Sequence, residues 1–245
     1  MQVSDSLYLG PAIGPQPSMQ GLAPSPMSQG VGPVGRVLVY DLVPLTLQAS
    51  GLAAAQAVAG AANLALTAGT GVTRETGFDG AFLYVLDVPR CVTVVSANAG
   101  DTTQTATVSG FDALGAPATA RVTLSGTTPA VTLKAFRKVK SIAINGATAG
   151  NINAGFNDRL GLPVAVSDAG YIDPSWAGVL ARDAGTFVAA VTTDPSTVLL
   201  GDVRGLYTPS SAANGARRLV LKVYLSEAQA GPSATRNAAF GVAQV

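Results

Sequence analysis

The clearest alternation of hydrophobic and polar positions is in RRLVLKVYL at 217–225. Alternation with a period of two places one set of side chains on each face of a β-strand. The segment therefore predicts a strand with one apolar face and one mixed face, half-buried on a core. The apolar face has Leu219, Leu221, Val223 and Leu225, and the mixed face has Val220, Lys222 and Tyr224.

A second pattern, in the middle of the chain, predicts a β-hairpin. Thr103, Thr105 and Thr107 share one face of an alternating run, FDALG supplies a turn, and Val122 and Leu124 lie on the returning run. Many similar short runs separated by Gly, Asn, Asp and Pro predict an all-β protein with a sandwich-like or barrel-like body. The predicted strands are 36–41, 81–88, 91–97, 104–111, 118–125, 130–135, 141–145, 186–191 and 217–225.

Two stretches give weaker patterns. The Ala-rich segment at 52–66 suits either a short helix, because Ala has a high helix propensity, or extended chain. From 146 to 185 strand signals thin out and turn signals dominate. We therefore divide the body into a β-rich domain at 36–155 and a second β-rich subdomain at 156–245, which could also be continuous with the first.

Residues 1–35 have the composition of an extended N-terminal arm. They contain six of the prolines and a single charged residue, Asp5. Proline lacks the N–H donor and disfavours helix before it, so this segment cannot form a helix or a central strand. Its apolar side chains predict that it docks on another subunit, and the alternative is a disordered leader. The predicted docking residues are Leu7, Tyr8, Leu9, Ile13, Met19, Leu22 and Met27.

Charge and composition exclude several classes of function. The 15 Lys+Arg residues nearly balance the 14 Asp+Glu residues, so the net charge of +1 gives no field that would gather nucleic acid or anionic lipid. Only 12% of the residues are charged, and an uncharged surface suits a protein that its neighbours cover. The chain has no apolar run long enough for a membrane span and no basic start typical of a secretory signal, so we expect it to assemble in the cytoplasm.

The residues offer little catalytic chemistry. The absence of His removes the commonest general base and metal ligand, and the single cysteine, Cys91, excludes an intrachain disulfide. Cys91 stands in an apolar run, which favours a small buried side chain over a nucleophile. The pairs Asp168 with Asp173 and Asp194 with Asp202 could serve a glycosidase, but turn aspartates usually cap turns. We predict no catalytic residue, no cofactor, no metal site and no enzymatic activity.

Two charged motifs have structural and functional interpretations. KAFRKVK at 134–140 is interpreted as protection of a sheet edge or a turn against aggregation, rather than as a phosphate-binding site. GDVRG at 201–205 places Asp202 and Arg204 between glycines, as a loop that presents an ion pair or, preferably, as a self-satisfied turn. The basic residues of the first motif are Lys134, Arg137, Lys138 and Lys140.

Six stretches also carry a resemblance to known proteins. They are GRVLVYDLVPLTL at 35–47, VPRCVTVVSANAGDTTQTATVSGFDALGAPATARVTL at 88–124, KAFRKVKSIAI at 134–144, RLGLPVAV at 159–166, LLGDVRGLYTPSSAANGARRLVLKVYL at 199–225 and SATRNAAFGVAQV at 233–245. They resemble a group of virion structural proteins of tailed bacteriophages, chiefly short-tailed ones. The resemblance covers most of residues 35–245, and it rests on loose patterns rather than on a catalytic signature.

The resemblance implies a non-enzymatic, β-rich protein built into the virus particle. It would be a short tail fibre or tail appendage attached through its N-terminal arm. One alternative is a capsid decoration protein, and a more distant one is a receptor-binding spike with glycosidase activity. Expected partners are further copies of the chain as a homotrimer, a tail nozzle, adaptor or major capsid protein, and a host surface receptor. We expect no nucleic-acid partner, no membrane insertion, and a location in the virion after assembly in the bacterial cytoplasm.

Overall fold

The protein is all-β, which confirms the predicted fold class. The computed structural model describes residues 36–179, 181–194 and 197–225, and among them there is no α-helix, only one 3₁₀ turn at Ala169–Tyr171. The strands are β1 (Arg36–Leu42), β2 (Gln48–Gln56), β3 (Ala62–Asn63), β4 (Val72–Thr76), β5 (Phe82–Ser96), β6 (Thr105–Phe111), β7 (Pro117–Thr123), β8 (Ala130–Ile144), β9 (Ile152–Gly161), β10 (Ile172–Trp176), β11 (Thr186–Val188), β12 (Leu206–Thr208) and β13 (Leu219–Leu225).

Most strands belong to one large antiparallel sheet that curls into a half-barrel. Its order is β11-β12-β9-β5-β8-β6-β7, with β2 added to β9, β3 to β8 and β4 to β5. The central strands β5 and β8 are long, and each joins two runs that the sequence pattern predicts as separate strands. Register shifts interrupt both pairings of β8, with β5 and with β6. Such irregularities bend the strands and increase their twist, so they help the sheet to curl.

The predicted hairpin is confirmed as β6–β7. Phe111 pairs with Pro117 next to the turn, where the carboxylate of Asp112 accepts hydrogen bonds from the backbone N–H groups of Leu114 at 2.8 Å and Ala116 at 3.0 Å. Alternate residues of β6 are buried, among them Val108, so this hairpin contributes one face to the core. Sequence alternation and turn chemistry together account for this element.

The Ala-rich segment forms the strand β2 rather than a helix. Leu52 and Ala53 are fully buried, and β2 pairs with β9. Gly155 on β9 permits this pairing, because a Cβ atom there would lie only 1.8 Å from the carbonyl oxygen of Gln48. The expectation that turns dominate from 146 to 185 is wrong over β9, where Gly155 allows the backbone of β2 to approach closely rather than marking a loop.

The main core fills the inside of the curled sheet. Phe136 on β8 and Phe156 on β9 are both fully buried there, between apolar side chains from β2 and from the β6–β7 hairpin. Large aromatic side chains of this kind contribute strongly to the stability of a core. The other large members include Leu52, Leu86, Val92, Val94, Val108, Val139, Ile142, Ile144 and Ile152.

A small three-stranded sheet in the order β1-β13-β10 forms the second layer. Leu219, Leu221 and Val223 are fully buried, as the alternation predicts, and they pack against apolar residues of the large sheet. β1 and β13 come from opposite ends of the described chain, and the boundary predicted at 155–156 falls inside β9. The two stretches 36–155 and 156–225 therefore both contribute to both layers. The second core also contains Val88, Leu160, Leu162, Val164, Val166, Ile172 and Trp176.

Candidate functional site

The most elaborate polar cluster surrounds Arg90 on β5, whose side chain is fully buried. Its Nε and Nη2 donate to the two carboxylate oxygens of Asp87 at 2.8 Å and 2.6 Å, and its Nη1 donates to Asp158 at 3.1 Å. Nη1 and Nη2 also donate to the backbone carbonyls of Asn157 and Leu45, at 3.1 Å and 2.6 Å. The guanidinium therefore has every donor nitrogen engaged, and it ties the β1–β2 loop and β9 to β5.

A second buried ion pair joins Arg204 to Asp112, 92 residues earlier in the turn of the β6–β7 hairpin. Both side chains are only 2% exposed. The neighbouring Asp202 accepts hydrogen bonds from the backbone N–H groups of Ala135 at 2.9 Å and Arg204 at 2.8 Å. The preferred interpretation of GDVRG as a self-satisfied turn is therefore incomplete, since Asp202 and Arg204 also hold this loop against the large sheet.

The KAFRKVK motif does not form one basic patch. Lys134 is fully buried, and burial lowers its pKa to about 8, against the opposing effect of the carboxylate of Asp202. Lys138 and Lys140 instead pair with Glu75 and Asp79 of the β4–β5 hairpin. Protection of a sheet edge is the wrong explanation, because β8 lies between β5 and β6 inside the sheet.

Cys91 has the environment of a buried hydrophobic side chain, as the sequence predicts. It is fully buried against Ala135 and Leu206, and burial raises the pKa of its thiol, with a further contribution from the negative charge of Asp202. Both effects disfavour the thiolate, which is the nucleophilic form of cysteine. Cys91 thus contributes to packing rather than to reactivity.

The aspartates predicted as candidates for glycoside hydrolysis make structural contacts, such as a turn cap and an ion pair. Asp168 caps the 3₁₀ turn by accepting from the N–H of Gly170 at 2.7 Å, and Asp173 on β10 lies 3.4 Å from Lys222. Asp202 is buried in the loop described above. Over the described ranges, no three His, Cys, Asp or Glu side chains come together as a metal ion would require. Asp194, which the sequence pairs with Asp202, is exposed.

One groove, of about 610 Å³, lies between β10 and β11. Its carboxylate, Asp183, accepts hydrogen bonds from Tyr207 Oη at 2.5 Å, from the Ser210 hydroxyl and from the Ser210 backbone N–H at 3.0 Å. Burial raises the pKa of Asp183, but the hydrogen bonds from Ser210 and Tyr207 outweigh it and hold the pKa below its usual range. A carboxylate so fully engaged is poorly suited to act as a general acid or base.

A smaller cavity of about 260 Å³ lies beside the β1–β2 loop, lined by Leu45, Asp87 and Arg137 among others. The Nη1 atom of Arg137 is shielded from solvent and has no hydrogen-bond partner among the described residues. Nearby, burial raises the pKa of Tyr40 to about 12, opposed by the charge of Arg137 and assisted by that of Asp87. The only carboxylate among the described residues that line this cavity, Asp87, is already bound by Arg90.

The outer surface has many exposed apolar side chains. Three of them, Val37, Val39 and Tyr224, lie together on the outer face of the small sheet, where Val37 is paired with Tyr224. Scattered exposed hydrophobic residues are normal on a protein surface, but a group of them on one sheet face indicates a contact area. The other exposed ones are Val43, Leu47, Phe78, Phe82, Leu114, Leu133, Tyr171, Val179, Val188 and Leu199.

The buried ion pairs are not among the features predicted from the sequence. An arginine within the apolar run VPRCVTVV at 88–95 was a usable signal, because a buried arginine needs carboxylate partners. Its partners Asp87 and Asp158 could not be chosen from the sequence. The predicted docking residues Leu7, Tyr8, Leu9, Ile13, Met19, Leu22 and Met27 lie outside the described residues.

Comparison with known proteins gives no match to a family, to a curated protein or to a solved structure. In the part of the chain that the structure describes, no helix has the length and apolar character needed to cross a bilayer. The function must therefore be inferred from the arrangement of the residues themselves.

Proposed function

We propose that the chain is a non-enzymatic structural protein of a bacteriophage particle, built into the tail as an appendage. The observation that carries this proposal is the distribution of charge. Arg90, Lys134 and Arg204 are buried, while Val37 and Val39 are exposed. A protein that works as a free monomer usually shows the opposite distribution, whereas one covered by neighbouring subunits tolerates an apolar exterior.

The interior chemistry also favours assembly over turnover. The buried carboxylates are held by arginine and backbone donors, as Asp112 is by Arg204, and the only thiol is buried. Catalysis needs a poised acid, base or nucleophile facing a cleft, and the grooves described above present none. The assignment to a phage tail comes from the sequence resemblance, which includes the strands β5 to β7 and β12 to β13.

The particle itself provides the test of location. Electron microscopy of purified phage particles that contain the chain should place its β-rich body on the tail. Density in a regular lattice on the capsid would overturn the tail assignment and favour a decoration protein. Absence of the chain from purified particles, by mass spectrometry, would overturn the structural proposal altogether.

Attachment through the N-terminal arm is part of the same proposal. Deleting residues 2–33 should leave the β-rich body folded, because β1 begins at Arg36, but should remove the chain from particles. Recovery of the shortened chain in particles at normal copy number would show that attachment resides on the body.

An activity assay tests the non-enzymatic assignment. Purified protein incubated with host surface polysaccharide should leave the chain length of the polysaccharide unchanged. Depolymerisation by the wild-type protein would contradict the proposal. If an Asp183→Asn variant retained that activity, the responsible carboxylates would lie outside the larger groove.

A further inference from the structure

The edge strands of this protein are protected to different degrees, and unprotected edges bind other strands. One edge of the small sheet is β10, which contains Pro174, a residue without an N–H donor. The backbone N–H of Asp183 donates to the carbonyl of Pro174 at 2.7 Å, and Arg182 donates to the carbonyl of Ile172 at 2.9 Å. This edge is therefore largely occupied by the chain that follows it.

The long edge strands of the large sheet are also protected. β7 begins with Pro117, and the N–H of Arg121 in its middle donates to the carbonyl of Val198 at 2.8 Å. On the outer edge of β2, the carbonyl of Leu52 accepts a hydrogen bond from the backbone N–H of Thr67 at 2.8 Å. β4 carries adjacent charged residues, Arg74 and Glu75, which discourage pairing with another strand.

The strand β1 is the exception among the described edge strands of five or more residues. It pairs with β13 along its whole length, and no other described backbone group bonds to it. Its outward side chains Val37 and Val39 are 49% and 58% exposed, and Tyr224 lies opposite Val37 on β13. Between the charged residues Arg36 and Asp41, this edge has four uncharged residues, VLVY, and an open edge of this kind is a template for β-strand addition.

We propose that this open edge of β1 binds residues 2–9 of a second copy of the chain as an added strand. The inference rests on the proposed assembly role and names one partner of the arm. Residues 2–9, QVSDSLYL, belong to the longest proline-free stretch of residues 1–35, so every residue can donate to a ladder of backbone hydrogen bonds. Alternation places Leu7 and Leu9 on one face and Tyr8 on the other.

The position and length of the arm favour a neighbouring copy over the same chain. All six prolines of the arm lie between this segment and β1, from Pro11 to Pro33. Proline-rich linkers favour an extended conformation and act as semi-rigid spacers, with a reach of about 3 Å per residue, or roughly 80 Å over this length. A spacer of this length would be long enough to bring the segment to the β1 edge of a neighbouring copy.

The added strand would bury the exposed apolar side chains of the small sheet. Backbone hydrogen bonds would supply affinity, and the alternate side chains of the donor would supply specificity. The side chains of Val37 and Val39 would gain neighbours on the outer face of a four-stranded sheet. The same contact repeated around a ring would link each copy to the next without requiring any charged group.

Mixed cysteine cross-linking tests the contact directly. Chains carrying Leu7→Cys and chains carrying Val39→Cys are purified separately, mixed under conditions that allow subunit exchange, and oxidised. Cys91 is fully buried and does not compete. We expect a disulfide-linked dimer on a non-reducing gel. The matched control is Val188→Cys, an exposed valine on the short strand β11, which should give at least tenfold less product with Leu7→Cys.

Two outcomes would overturn the inference. One is a product no more abundant with Val39→Cys than with Val188→Cys. The other is a disulfide that forms only within a single chain carrying both Leu7→Cys and Val39→Cys, which would show that the arm folds onto its own body.

A second variant tests the contact without requiring subunits to exchange between two purified proteins. Val37→Lys places a charge on the edge at an exposed position opposite the uncharged Tyr224, so the body should keep its melting temperature. Sedimentation should show self-association weakened at least tenfold, as it should for deletion of residues 2–9. Unchanged self-association in both variants would contradict the proposal. Because these measurements use purified protein without particles, they can fail or succeed independently of the assignment to a phage tail.

Discussion

The large sheet and the small sheet place their charged side chains differently. In the large sheet, Arg90 and Arg204 are buried and bind carboxylates 68 and 92 residues away, respectively. In the small sheet the inner face is formed mainly by apolar side chains, and charged residues lie outside, in the pairs Arg218 with Asp41 and Lys222 with Asp173. The large sheet is therefore fixed by specific polar contacts across distant segments, and the small sheet by hydrophobic burial.

This difference indicates which contacts are sensitive to mutation. Removing one partner of a buried ion pair leaves the other charge without compensation, which is strongly unfavourable. Removing one partner of an exposed pair changes little, because water and salt replace the interaction. The small sheet should instead respond to loss of buried apolar volume.

The largest effect is expected for Arg90→Ala. The substitution leaves the carboxylates of Asp87 and Asp158 partly buried without their cation, and it removes the links to the β1–β2 loop. We expect the free energy of unfolding to fall by about 3–5 kcal/mol. Urea denaturation followed by circular dichroism measures it, and a loss below about 1 kcal/mol would show that the cluster does not hold the large sheet together.

The corresponding test in the small sheet is Leu221→Ala. Leu221 is fully buried, and its truncation leaves a cavity between the two sheets. We expect a loss of about 2–5 kcal/mol in the free energy of unfolding, depending on how far the site collapses. Val220→Ala on the outer face of the same strand is the matched control and should change stability much less. Equal effects of the two substitutions would contradict the assignment of faces.

A pH-dependent effect is expected from Lys134. Its pKa is lowered from 10.5 to about 8 in the folded protein, so between these values the unfolded chain binds more protons. The free energy of unfolding of the wild type should therefore rise, relative to Lys134→Met, as the pH increases from about 8 toward 10.5. Comparison with the variant cancels the titration of the other groups. Parallel stability curves for the two proteins would show that Lys134 titrates normally.

The smallest effect is expected for Lys222→Gln on the outer face of β13. The ammonium lies 3.4 Å from Asp173, and its side chain is 45% exposed. We expect a change below about 1 kcal/mol in the free energy of unfolding, which should diminish further at high salt. A loss as large as that of Arg90→Ala would remove the distinction between the two sheets.

Local pattern was sufficient for part of the fold. The alternation in β13 predicted its buried face, and the turn FDALG predicted the β6–β7 hairpin. The local pattern was insufficient for β9, where Gly155, which close approach of the β2 backbone requires, resembled a glycine of a loop. Two pairs of predicted strands were one strand each, because register shifts inside β5 and β8 break the alternation without ending the strand.

The charged residues of the sequence were a poorer guide to the candidate site than the hydrophobic alternation was to the fold. KAFRKVK read as one basic motif, yet the structure buries Lys134 and pairs Lys138 with Glu75. Lys134 and Lys138 are four residues apart and would share a face in a regular strand, but β8 has a register shift between Phe136 and Lys138, which places the two side chains in different environments. A basic run inside a β-strand therefore cannot be assigned to a surface from the sequence alone.

The sequence by itself determined that the protein is all-β, that Cys91 is buried and which face of β13 enters the core. These properties depend on side-chain alternation and composition, which are local. Only the tertiary structure decided which carboxylates bind Arg90 and Arg204, and that, among the described residues, the outer edge of β1 receives no backbone hydrogen bond while β7 and β10 are covered. The reason is that strand neighbours and ion partners are chosen among segments far apart in the chain, by the simultaneous packing of all of them.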